Sequence, residues 1–223
     1  GLALMTLEAR LVRALQNPLL QRAGAALNDG KIDIAERALR EALRSDPADV
    51  AAIRMLAEVA GRIGRYRDAE RLLARCIELA PDFHAARANY VTVLHRQSKF
   101  VEALAEADRL IAADPADLGH HAVRAAVLVR TGAYEEALAA YDRILTAHPQ
   151  QPRLWISRGH VLKTIGRTPE SIECYRRAIA QEPTLGDAWW SLANLKTVRF
   201  DNADLAAMTH ALAEAPREED RYH

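Results

Sequence analysis

Five prolines stand at a constant interval of 34 residues: Pro47, Pro81, Pro115, Pro149 and Pro183. Proline lacks the N–H that a helix interior needs, and its ring clashes with the preceding turn, so each one marks a stop. Seventeen residues before each proline stands a turn residue: Gly30, Gly64, Ser98, Gly132 and Gly166. Glycine ends helices because the left-handed backbone costs it little. Five residues on come Ala35, Ala69, Ala103, Ala137 and Ser171. A second small series, Ala23, Ala57, Val91, Ala125, Gly159 and Ala193, keeps the same interval. Small residues at fixed points allow two helices to pack closely. The ruler therefore predicts a repeated pair of antiparallel helices.

First helices are expected at about 17–28, 49–62, 84–96, 118–130, 152–164 and 186–197. Second helices are expected at about 33–45, 67–80, 101–113, 135–147 and 169–181. Asp46, Asp82, Asp114 and Asp117 lie at the junctions, where a carboxylate caps the helix that follows. The first fifteen residues, "GLALMTLEARLVRAL", carry Glu8 and Arg10 among apolar residues at helical spacing. They read as an amphipathic helix capping the N-terminal end, not as a signal peptide or membrane span.

Charge narrows the function classes. Thirty basic residues balance thirty acidic ones, so the chain has no general attraction for nucleic acid or an anionic membrane. Two cysteines, Cys76 and Cys174, fit no metal-ligand spacing and read as buried reduced thiols of a cytoplasmic protein.

The pattern resembles the tetratricopeptide repeat. Its fullest match is "LWISRGHVLKTIGRTPESIECYRRAIAQEP", with Trp155, Gly159, Gly166, Tyr175, Ala178 and Pro183 in place. Departures are Ser98 for glycine, Thr168 for the turn aromatic and Ser171 for alanine. The resemblance implies an all-α fold, a right-handed superhelical array of antiparallel helix pairs, with about five and a half to six repeats. The expected layout is an N-terminal helix at 1–15 and an array at 16–199. Its repeats fall at about 16–49, 50–83, 84–117, 118–151, 152–185 and 186–199, followed by a modified helix at 200–223.

In that family the concave face, lined by first helices, grips a peptide or another domain. Residues expected there are Arg54, Glu58, Arg62, Asn89, Thr92, Arg96, His121, Arg130, Arg153, His160, Lys163 and Asn194. Six of the twelve are Arg or Lys and one is acidic, which favours a protein or peptide partner with acidic side chains. The carboxylate clamp of some family members is absent in this register, where Leu20 and Gly24 hold the relevant places.

No catalytic, cofactor or metal site emerges. His120 and His121 are adjacent and point about 100° apart on a helix, a poor chelate. His84, His95, His148 and His160 have no partner at ligand spacing. Glu135 with Glu136, and Glu102 with Glu106, read as solvated outer-face charges. Tyr134, Tyr141 and Tyr175 sit at packing positions.

The pattern breaks at "GDAWWSLANLKTVRF". Trp189 and Ala193 keep register, Trp190 is extra, and Phe200 stands where glycine is expected. Asp201 is expected to cap the next helix, and Pro216 comes one residue early. "AWWSLANLKTVRF" with "DLAAMTHAL" is similar to the last repeat of bacterial tetratricopeptide-repeat sulfotransferases. There the array precedes a catalytic domain using the donor PAPS. This implies an N-terminal recognition module, with Trp190 as an interdomain contact and the catalytic domain following. A free-standing adaptor with no enzymatic domain is the alternative.

Overall fold

The computed structural model describes residues 5–195 and 202–214. Phe200, Asp201 and Pro216 lie outside them, and so do the expectations placed there. The described chain is helical: α1 (Leu7–Leu15), α2 (Pro18–Asn28), α3 (Ile32–Ser45), α4 (Val50–Arg62), α5 (Tyr66–Leu79), α6 (His84–Arg96) and α7 (Phe100–Ala113). Then come α8 (Leu118–Thr131), α9 (Tyr134–Ala147), α10 (Pro152–Thr164), α11 (Thr168–Gln181), α12 (Gly186–Ala193) and α13 (Asn202–Glu214). No strand occurs among the described residues. The chain divides into two compact units, one running through Val123 and the other from Arg124 to Glu218.

The turns have the geometry that glycine favours. Gly30, Gly64, Gly132 and Gly166 all take φ between 72° and 83°. Ser98 adopts the same left-handed turn at φ 61°, although its Cβ makes that backbone costly. Each second helix starts right after such a turn. Prolines off the 34-residue ruler open helices: Pro18, Pro152 and Pro169 occupy the first turns of α2, α10 and α11.

Capping differs from the sequence expectation at two junctions: Phe83, with no side-chain cap bond, stands at the N-cap of α6 where Asp82 is expected to act, and Asp46 does not cap α4. Asp49 caps α4, accepting from the N–H groups of Ala51 and Ala52 at 3.1 Å each. Asp46 instead holds the preceding turn through Ala48 N–H at 3.1 Å. Asp117 accepts from Gly119 N–H at 2.9 Å, at the start of α8.

The small series is core. Ala35, Ala69, Ala103, Ala137 and Ser171 are fully buried, and so are Ala23, Val91 and Ala125. Ser171 repairs the cost of a buried hydroxyl by donating to the Gly159 carbonyl at 2.9 Å. Ala193 is the exception. It is exposed.

α1 packs along the first two junctions between repeats. Arg10 donates to the carbonyls of Ala48 at 3.2 Å and Leu79 at 3.3 Å. Leu7 and Leu11 pack on the cluster of Val50, Ile53 and Phe83, while Ala14 joins the cluster of Leu20 and Ala23.

Candidate functional site

The first unit brings six expected groove residues around one cavity. It has a volume of about 420 Å³ and is lined by Arg54, Glu58 and Arg62 of α4 and Asn89, Thr92 and Arg96 of α6. The helical repeat explains this. Positions 58 and 62 are one turn apart on α4, and positions 92 and 96 are their equivalents one repeat later.

These side chains are held to different degrees. Arg54 Nε donates to Asn89 Oδ1 at 2.8 Å, and its guanidinium lies 5.5 Å from the Phe83 ring centre. Arg62 donates to the Leu27 carbonyl at 2.7 Å and to Glu58 at 2.8 Å. Thr92 donates its hydroxyl proton to Ala88 O at 3.2 Å. Arg96 is exposed and has no hydrogen-bond or ion-pair partner among the described residues. Three guanidinium groups against one carboxylate leave a net positive cavity. Such a cavity can take an anionic side chain through charge-assisted hydrogen bonds.

His121 does not line this cavity. Its Nε2 lies 3.0 Å from the Pro115 carbonyl, which only accepts, so that nitrogen carries the proton. Trp155 and Trp189 do the same one and two repeats later, donating to Pro149 O at 2.8 Å and Pro183 O at 2.9 Å. Arg87, one repeat earlier, donates to Pro81 O at 3.0 Å. The side chain at this position ties each first helix to the proline before it. The sequence carried the signal, since 121, 155 and 189 lie on one 34-residue series.

In the second unit the expected residues are more scattered. Arg130, Arg153, Lys163 and Asn194 are exposed on α8, α10 and the end of α12. His160 is itself exposed, and its Nδ1 meets the hydroxyl of fully buried Tyr175 at 2.8 Å. Burial pushes the His160 imidazole below its ordinary pKa, and Lys163 lowers it further. Trp190 is 70% exposed, whereas neighbouring Trp189 is buried.

Some outer-face charges are structural. Glu106 is not solvated; it pairs with Arg87 at 2.5 Å and Arg109 at 2.7 Å. Glu136 pairs with Arg124 at 2.9 Å. His84 and His120 meet edge to face at 6.1 Å. Among the described residues no three His, Cys, Asp or Glu side chains gather to hold a metal ion. No described helix is long and apolar enough to cross a membrane. Both cysteines are buried without a disulfide, and burial pushes the Cys76 thiol up to about 11.

Helix pairs in 34-residue register, with a polar concave cavity, define a helical repeat protein of the protein-binding kind. Family models described as tetratricopeptide repeat match residues 20–60, 54–118 and 96–152, and another matches 152–185. The chain belongs to the tetratricopeptide repeat family. No curated protein matches it. Among solved structures it is similar to a tetratricopeptide repeat protein from Parabacteroides merdae, at 18% identity and TM-score 0.69. That match covers 91% of this chain and 80% of the other. MamA from Desulfovibrio magneticus is similar at 17% identity and TM-score 0.64, over 75% and 94% of the two chains. YrrB, titled a TPR protein with an unusual peptide-binding site, matches at 16% identity and TM-score 0.58, over 82% and 97%. At these identities the likeness is one of fold.

Proposed function

We propose that this chain is a binding scaffold whose working surface is the basic cavity between α4 and α6, and that its partner presents acidic side chains there. The observation that carries this reading is Arg96, a cation without a partner among the described residues, beside Arg54 and Arg62. Peptide binding by a protein of the same fold supports it. The test is the double variant Arg54→Glu, Arg96→Glu, measured against captured partners or acidic peptides. Affinity should fall at least about tenfold, or roughly 1.4 kcal/mol, with the thermal midpoint unchanged. Unchanged affinity would make the charges bystanders.

A finer reading concerns the second unit. The terminal stretch resembles that of bacterial repeat sulfotransferases, and Trp190 is exposed as an interdomain contact requires. On this reading the array recognises partners for a PAPS-dependent sulfotransferase-like enzyme. The native protein in its source cells should then be much larger than 24.7 kDa on a blot, and the long form should transfer sulfuryl groups. A band near that mass favours a free-standing adaptor.

A further inference from the structure

α1 has more apolar surface than its packing on the array uses. Leu7, Leu11 and Ala14 face the repeats. Val12 and Leu15, on another edge of the same helix, remain 52% and 74% exposed. They look into a second cavity of about 1210 Å³, opposite Gly24 and Ala25 of α2 and Met55 of α4. Gly24 and Ala25 add little side-chain bulk to the floor of this cavity.

The two cavities share a residue. Arg54 lines both the apolar cavity under α1 and the basic one toward Arg96. Their rims differ in sign. Glu8 and Asp82 border the apolar cavity, while Arg54, Arg62 and Arg96 outnumber Glu58 in the basic one. A ligand with carboxylates would be repelled at one end and held at the other.

We infer that α1 is a wall of the binding site, and that the site takes a bipartite peptide with bulky apolar side chains under α1 and carboxylates on Arg54 and Arg96. This deepens the scaffold reading above and rests on it. The apolar part supplies burial, since a pocket lined by leucine, valine and methionine gains by excluding water. The acidic part supplies direction and register.

The experiment pans a displayed library of short random peptides on the whole chain, then measures the best binder by fluorescence anisotropy. The enriched sequences should pair bulky apolar residues with Asp or Glu to one side. Val12→Glu with Leu15→Glu should weaken the selected peptide at least about tenfold. Their exposure means that the circular dichroism and thermal midpoint should not change. Binding that depends on Arg96 but ignores both α1 substitutions overturns the inference and leaves the scaffold reading standing. Tighter binding after removal of α1 also overturns it, because α1 would then be occupying the site. A chain that sediments as a dimer, and becomes monomeric with the α1 substitutions, assigns the apolar cavity to a second copy and sinks the peptide proposal. Failure to enrich any peptide counts against both readings.

Discussion

Position 58 on α4 and position 160 on α10 are equivalent in the repeat, yet their side chains do different things. Glu58 is exposed at the mouth of an open cavity and pairs with Arg62. His160 is drawn onto the hydroxyl of a buried tyrosine. The cause is the residue before each. Ala57 fills its place in the first unit, whereas Gly159 leaves room for the Tyr175 ring. A Cβ built on Gly159 would stand 2.6 Å from that ring. The lesson is that helical register chooses which positions can face the groove. Local core volume then decides which of them gain a partner inside the unit.

The harshest way to break the second unit is Ala137→Arg. Ala137 is fully buried in the small series, and an unpaired charge there should cost about 3–5 kcal/mol. Chemical denaturation checks it. A soluble variant of undiminished stability contradicts the register of α9.

Gly159→Ala tests the comparison itself. The new methyl must displace a buried tyrosine, at an overpacking cost of about 2–3 kcal/mol, offset by roughly 1 kcal/mol of helix propensity. A net loss of about 1–2 kcal/mol is expected, together with loss of the His160–Tyr175 hydrogen bond by NMR. The same substitution of size in the first unit, Ala57→Gly, should not turn Glu58 inward, because position 73 holds Leu and not Tyr.

Ser98→Gly should stabilise the first unit by about 0.5–1 kcal/mol, since serine pays for its positive φ and glycine does not. A thermal midpoint that fails to rise would show that the serine hydroxyl offsets the strain.

The smallest effect is a pH dependence. The folded pKa of His160 is depressed by burial, so the unfolded chain binds the proton more readily. Stability should therefore fall as pH drops through the ordinary histidine value of about 6.5 and below. His160→Gln should flatten that slope, measured as thermal midpoint against pH. An unaltered slope would place the acid sensitivity elsewhere.

Much of this was legible in sequence. The five turn residues and the buried small series fell where the 34-residue ruler put them. Thr168 opens α11 without the expected aromatic, because the preceding Gly166 supplies the turn at φ 83° and Pro169 fixes the first helical turn. That six of the twelve named residues share one face was also legible, because one turn on α4 and one on α6 repeat the same positions. The hydrogen bond of His121 was not legible, since a polar side chain at a tryptophan position looks like a surface residue until its acceptor is seen. Glu106 was misread for the same reason: its partners Arg87 and Arg109 come from two helices.

What the sequence determined by itself is the all-α repeat, because proline, glycine and alanine act through the backbone, within a few residues of where they stand. What only the tertiary structure decided is which surface side chains are held by others. The placement of α1 across two junctions depends on Arg10 reaching carbonyls 38 and 69 residues away. The free state of Arg96 and the captive state of His160 depend on side chains from other helices. A periodic code repeats the core, but side-chain contacts on the surface change where neighbouring repeats differ.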